Sequence, residues 1–443
     1  MTKISPYIVV YPPGPQTRQL VIDDHRVITH SAFREYPLSA VSGRGCFITD
    51  MDGNTYIDFT SGHLCTSLGF SHPEVVEAVR NQANRLISFS YQHSYSPLPV
   101  KLAEELIRET GEAGDKMVYF GASTEDAIET AVKIAQWYSR NQVLLSITGS
   151  YFGETSISLA LSSDKAFKKR HFPPSPTVYF LPSPYCYRCP LHLSPESCSL
   201  ACLSYFEEEI LQKIIPPEDV AAIFFEPIMV NAGCILPPKG YFQKLQEIAN
   251  KNSIVTVANE SNTCMGRTGS WYALAHWSIH PDIIVTSNSL AEGLPLSAVV
   301  SKASIIDWAR NSHSTTMGGN LLACAASLKA IEILKKDHLL ENANREGMYL
   351  KKQLTELQKE IPEIGDVRGR GLIVGAEVIK ATRDRTPAKQ TAREVVKKCW
   401  RRGLLLQICG TSTLQLTPPL TVTRELIDQA VEILEGAFSE VLS

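Results

Sequence analysis

The chain is predicted to fold as an α/β protein. A mostly parallel central sheet, flanked by helices, is joined to a smaller α+β domain built from the N- and C-terminal segments. Three observations carry this reading. From about residue 60 to about 325, short β-rich runs alternate with helical periods. Those runs are almost continuously apolar, which suits strands whose two faces are both covered by helices. The last hundred or so residues then change character and mix helices, strands and a Pro418-Pro419 corner. The expected division is 1–60 as an N-terminal arm and part of the small domain, 61–325 as the large α/β domain carrying the cleft, and 326–443 as the C-terminal small domain.

The elements follow in order. The first forty residues are rich in proline and aromatics with few long apolar periods, and are expected to form an extended arm. A hairpin is expected next: Gly45 to Asp50, a Met51-Asp52-Gly53-Asn54 turn, then Thr55 to Phe59. Helical periodicity begins after Pro73, with Val75, Val76, Val79 and Ala83 on one face. The clearest strands are Val143 to Ile147, Ala221 to Phe225, Ser253 to Val257, Ile283 to Val285 and Ala298 to Val300. A long helix is expected from about Leu321 to Leu334.

Composition narrows the function classes. With 443 residues, 44% hydrophobic and 20% charged, the chain can bury a large core and split into two packed domains. A net charge of −3 favours neither nucleic acid nor an anionic membrane. No apolar run approaches the ~20 residues of a membrane span, and Met1 to Pro6 lack the apolar core of a secretory leader. Eleven scattered cysteines suit a reducing, cytoplasmic setting.

The motifs are more specific. Asp52-Gly53-Asn54, Tyr56-Ile57-Asp58, Ser61-Gly62, Gly69 and His72-Pro73 occur in order, followed by Glu226-Pro227, Pro237-Pro238 and Gly240. Then come Gly266-Arg267-Thr268-Gly269, Pro281-Asp282, Gly293-Leu294-Pro295-Leu296 and Gly318-Gly319-Asn320. Asp366-Val367-Arg368-Gly369-Arg370-Gly371-Leu372 and Pro418-Pro419-Leu420 close the series. In register over almost the whole chain, these resemble the class III aminotransferases, a fold-type I pyridoxal phosphate family. The nearest branch is that of ornithine and 4-aminobutyrate aminotransferases, dialkylglycine decarboxylase and amino-acid racemases. The resemblance implies a small-molecule substrate and a homodimer with shared active sites.

It also assigns positions. Asn288 stands where the family carries the lysine that forms a Schiff base with pyridoxal phosphate, and an amide cannot do that chemistry. Asn259 stands where an aspartate holds the ring nitrogen protonated, and Asn262 where a glutamine meets the ring hydroxyl. The phosphate turn is matched by Ser123, Thr124 and Glu125, with a carboxylate where a small hydroxyl is usual. Tyr151 keeps the stacking aromatic, while Phe152 replaces a histidine. Gln415 replaces the arginine that grips an α-carboxylate. Glu226 lies in the retained Glu-Pro motif, and Thr316 matches a threonine reaching the neighbouring subunit's phosphate.

Joint change at these positions gives the leading expectation. The chain is an aminotransferase-like enzyme that has lost Schiff-base catalysis and acts on an amine- or carbonyl-containing metabolite in the old cofactor cleft. Asn288, Glu125, Asn259 and Glu260 are the catalytic candidates. Ser123, Thr124, Tyr151, Phe152, Glu226, Asn262 and Thr316 line the cofactor region, and Gln415 meets substrate. No cofactor is expected to be held covalently, and Glu125 disfavours pyridoxal phosphate by repelling its phosphate. Two rivals stand beside this: a pyridoxal or pyridoxamine phosphate-binding transaminase or racemase, and a catalytically silent partner of an active homologue. Cys186, Cys189, Cys198 and Cys202 have gaps that could ligate zinc, although free thiols suit the compact spacing better. His63, His93 and His313 lie in segments that resemble active-site edges, where a lone histidine is more often simply packed.

Overall fold

The computed structural model describes residues 6–443 apart from 33, 92, 113, 165–176 and 381–384. Met1 to Ser5, on which most of the leader reading rests, lie outside the described residues. The chain divides into two units, Met1–Pro73 with His338–Ser443, and Glu74–Asp337.

In the first unit, β1 (Ala40–Arg44), β2 (Phe47–Asp50) and β3 (Thr55–Asp58) form an antiparallel meander. The expected hairpin is present, with Phe47 opposite Ile57 and Thr49 opposite Thr55. Its turn is locked by Asp50, whose carboxylate accepts from the N–H groups of Asn54 at 2.8 Å and Asp52 at 3.0 Å. The expected extended arm is corrected: Pro15–Val27 is an α-helix. Pro15 is preorganised for a first helical turn, and His25 and Arg26 complement the last. The decisive contact is remote in sequence. Asp52, from the hairpin turn, accepts the Gln16 and Thr17 N–H groups at 2.8 and 3.0 Å, and so satisfies donors that a helix start leaves open.

The second unit holds β4 (Lys116–Gly121), β5 (Val143–Ile147), β6 (Val178–Leu181), β7 (Val220–Phe225), β8 (Val255–Asn259), β9 (Ile283–Thr286) and β10 (Ser297–Lys302). They form one sheet in the order β4-β10-β9-β8-β7-β5-β6. The pairs from β9 through β6 are parallel, while β10 is antiparallel to both β4 and β9. β4 therefore runs the same way as β5 to β9. All residues of β7, β8 and β9 are buried, as expected for strands covered on both faces. The Thr124–Ser139 helix buries Ala127, Ile128, Ala131, Val132 and Ala135 against this sheet, in one cluster with Phe224, Val257 and Val285. The long helix runs over Leu321–Lys336, two residues beyond its expected end.

The first unit is completed by β11 (Ile364–Arg370), β12 (Ile373–Val378), β13 (Leu404–Leu405), β14 (Gln407–Cys409) and β15 (Thr413–Leu416). β13 joins β3 in parallel, and the others form an antiparallel sheet in the order β11-β12-β15-β14. Among the described residues, no helix is long and apolar enough to cross a membrane.

Because the N-terminal helix starts on Asp52, Asp52→Ala should cost about 1 kcal/mol in denaturant unfolding. Hydrogen exchange over residues 15–20 should accelerate in the same variant. Unchanged exchange there would refute the capping role.

Candidate active site

Open α/β sheets present ligands at the carboxyl ends of their strands, where helix N-termini and loops gather. Five strands deliver the candidate residues to that edge. β4 leads into Ser123 and Thr124, β5 into Tyr151, and β7 into Glu226; β8 ends on Asn259, and β9 leads into Asn288.

Ser123 caps the Thr124–Ser139 helix, its hydroxyl accepting from the Asp126 N–H at 3.3 Å. The N–H groups of Thr124 and Glu125 meet no hydrogen-bond partner among the described residues. A sixteen-residue helix therefore ends in free donors at the sheet edge, which suits an anion. The Glu125 side chain turns toward Gly153: its Cγ and Cδ lie 2.5 and 3.1 Å from where a Cβ on Gly153 would stand. Only glycine leaves that space.

A polar chain crosses from this helix to the end of β9. The Thr124 hydroxyl donates to Asn288 Oδ1 at 3.4 Å, and Asn288 Nδ2 donates to Asn262 Oδ1 at 2.7 Å. Asn288 has φ +48°, a left-handed conformation that asparagine tolerates better than most side chains.

A second network centres on the backbone of Tyr151. Its N–H donates to Glu226 Oε2 at 2.9 Å, and its carbonyl accepts from Asn259 Nδ2 at 3.4 Å. Asn259 Oδ1 accepts the Ser261 N–H at 3.1 Å, so this amide donates and accepts at once. An aspartate carboxylate could not donate to the Tyr151 carbonyl. Glu226 is 3% exposed, and burial pushes its carboxyl up to about 8, against the smaller opposing pull of the Tyr151 N–H. Burial is also the largest effect on the Tyr151 hydroxyl, followed by Glu154, Glu125 and Glu226; all four raise its pKa.

The remaining predicted residues make contacts of their own. Glu260 holds a loop: its oxygens accept from Thr263 and from the Ala273 and Leu274 N–H groups at 3.0 and 2.8 Å. Burial raises it to about 7 against those three bonds. Phe152 is fully buried in the core cluster, edge-on to Phe224 at 5.9 Å. Thr316 is exposed on the loop before the Leu321–Lys336 helix. Gln415 lies on β15 of the other unit, buried, donating to the Thr417 hydroxyl at 3.3 Å. Cys186, Cys189, Cys198 and Cys202 are free and partly buried, and among the described residues no group of three or more His, Cys, Asp or Glu could hold a metal. Sequence reasoning missed Lys133, which contacts His313 behind the Ser123–Thr124 turn. Its place in a helical period gave no signal.

Fold and site together define a fold-type I aminotransferase-like protein. The family profile described as Aminotransferase class-III matches residues 30–438, and the chain belongs to that family. An alanine/serine racemase from Pyrococcus horikoshii is 33% identical over 99% of this chain and 94% of its own length. A probable 4-aminobutyrate aminotransferase from Bacillus subtilis is 34% identical over 90% of this chain and 92% of its own. Among solved structures, an amine transaminase from an uncultivated Pseudomonas species superposes with a TM-score of 0.87 at 27% identity, covering 94% of this chain and 98% of its own. That structure is described as PLP-bound, in the internal aldimine form.

This neighbour overturns the expectation that nothing is held covalently and that pyridoxal phosphate is disfavoured. The site gives a physical reason at the phosphate end. Glu125 turns toward Gly153, and the open N–H groups of Thr124 and Glu125 remain for an anion. Tested against that group, the residues fit its phosphate at the helix N-terminus and its ring beside Tyr151. Residue 288 offers an amide hydrogen-bonded through both its oxygen and its nitrogen.

The folded protein keeps the Glu226 proton to higher pH than the unfolded chain does. Stability should therefore be full below the unfolded carboxyl value and fall as pH rises toward about 8. Glu226→Gln should flatten the fall between pH 5 and 8.5, by on the order of 2 to 4 kcal/mol in denaturant midpoints converted to free energy. An equally steep profile in the variant would refute a neutral Glu226.

Proposed function

We propose that this chain takes pyridoxal phosphate or pyridoxamine phosphate in the β4–β9 edge cleft and acts on a small amino-group compound, in the manner of the racemase and aminotransferase branch. The observation that carries the reading is the free N-terminus of the Thr124–Ser139 helix, with Tyr151 and the Thr124–Asn288–Asn262 chain at the same sheet edge. When bound, the cofactor supplies an electron sink; the protein supplies position and electrostatics. Ser123 and Thr124 are assigned to its phosphate and Tyr151 to its ring, while Thr316 is assigned to the phosphate held by the neighbouring subunit.

Asn288 is assigned to the position where relatives carry lysine. An amide nitrogen does not condense with an aldehyde, so Asn288 acts by hydrogen bonding and holds its partners Asn262 and Thr124 in place. Glu226, buried and neutral at pH 7, can hold or release a proton at its carboxyl group. Asn259 keeps Tyr151 in place and brings no charge to a ring nitrogen.

The relatives named alanine/serine racemase and 4-aminobutyrate aminotransferase point to amino acids or ω-amino acids as the substrate class. A homodimer fits the exposed apolar side chains of Leu86, Ile87, Phe89, Tyr95 and Met317 on the second unit. Eleven cysteines scattered along the chain suit a reducing, cytoplasmic compartment.

Titration with pyridoxal phosphate should change the absorbance between roughly 330 and 430 nm, where this cofactor absorbs. A flat trace would sink the reading. Asn288→Lys should shift that spectrum without producing vigorous transamination, because Asn259 and Gln415 remain unchanged. Strong turnover in the single variant would show that residue 288 alone separates this chain from an ordinary transaminase.

A further inference from the structure

Behind the Ser123–Thr124 turn lies a half-buried polar cluster to which the reaction proposed above gives no role. Lys133, on the Thr124–Ser139 helix, donates to the Ser312 carbonyl at 2.7 Å and contacts His313 Nδ1 at 3.1 Å. A lysine ammonium has donors only, so Nδ1 is the acceptor and the ring hydrogen sits on Nε2. Nε2 faces Asp126 Oδ1 at 3.6 Å, and no nearer hydrogen-bond partner meets it among the described residues. This is an electrostatic contact just beyond hydrogen-bond range.

Asp126 completes the cluster. Its Oδ2 accepts from the Ala122 N–H at 2.9 Å, and its carboxylate also accepts from the Thr315 side chain. Burial alone would raise this carboxyl. His313, Ala122 and Thr315 more than offset burial and hold it below the usual range. The rings of Tyr119 and Trp308 pack on His313 at 5.3 and 6.0 Å, and Lys133 lies 5.5 Å over the Trp308 ring.

The cluster ties together two segments distant in sequence. One is the turn that ends in Ser123 and Thr124; the other is the loop carrying Thr315 and Thr316. The loop packs directly on the strand before the turn, since a Cβ on Gly318 would lie 2.2 Å from the Phe120 carbonyl oxygen. We infer that His313 is a positioning residue for the phosphate end of the cleft: bridging Lys133 and Asp126, it sets the Thr315–Thr316 segment against the Ser123–Thr124 turn. This rests on the cofactor reading proposed above. His313 itself touches no reacting atom.

Two variants separate positioning from bulk. His313→Gln offers Lys133 an acceptor and Asp126 a donor within one neutral side chain. His313→Leu fills similar space and offers neither. Affinity is measured by absorbance titration with pyridoxal phosphate and, separately, with pyridoxal, which lacks the phosphate. His313→Leu should weaken pyridoxal phosphate about tenfold, the loss of roughly one charge-assisted contact, and leave pyridoxal nearly unchanged. His313→Gln should recover most of the wild-type affinity. If His313→Leu does not fold, Lys133→Met should show the same phosphate-selective loss at about a third of that size.

Equal weakening of both ligands, or no weakening of either, overturns the assignment to His313 while leaving the cleft reading intact. A wild type that binds neither ligand overturns the cleft reading, and this assignment with it.

Discussion

The site depends first on a constraint of direction. β4, β5, β7, β8 and β9 run the same way, and β7 to β9 are buried along their whole length. Strands covered on both faces offer little room for charged side chains along their length, so the candidate residues gather at their ends. Ser123, Tyr151, Glu226, Asn259 and Asn288 are far apart in sequence and meet because each follows or closes one of these strands. β10, the one strand of this sheet among the described residues to run the other way, reverses direction without disturbing that edge.

Much of this was legible in the sequence because it is written in local patterns. Apolar runs marked the buried strands, and an Asp-Gly-Asn turn marked the β2–β3 hairpin. What escaped depends on partners remote in sequence. Pro15–Val27 looked irregular because its stabilising carboxylate, Asp52, sits 36 residues from Gln16, in another element. Glu260 and Phe152 lie within motif segments, yet one is spent on a loop and the other on the core. Residue type gives no hint of which way a side chain turns.

At residues 288 and 259 the resemblance implies a lysine and an aspartate, and the amides found there make contacts that those charged groups could not. Asn288 tolerates the left-handed backbone imposed where β9 turns into a short helical segment, and links Thr124 to Asn262 through both ends of its amide. A lysine at the same backbone would meet more strain and, having no acceptor, could not receive the Thr124 hydroxyl. The amide at residue 288 is therefore matched to its surroundings.

The same argument is strongest at Asn259 and Glu226. Both hold the Tyr151 peptide, one at its carbonyl and the other at its N–H. An aspartate at 259 would place an acceptor-only group against the Tyr151 carbonyl and add a second carboxylate near a buried Glu226. Repulsion would raise the cost of ionising either one, and the tyrosine would lose a hydrogen bond to its backbone carbonyl. With an amide at 259, Glu226 can stay buried and neutral at pH 7, and the Tyr151 backbone is pinned on both sides. The amide at 259 and the buried acid at 226 are two halves of one arrangement, so a change at either must be read through its effect on Tyr151.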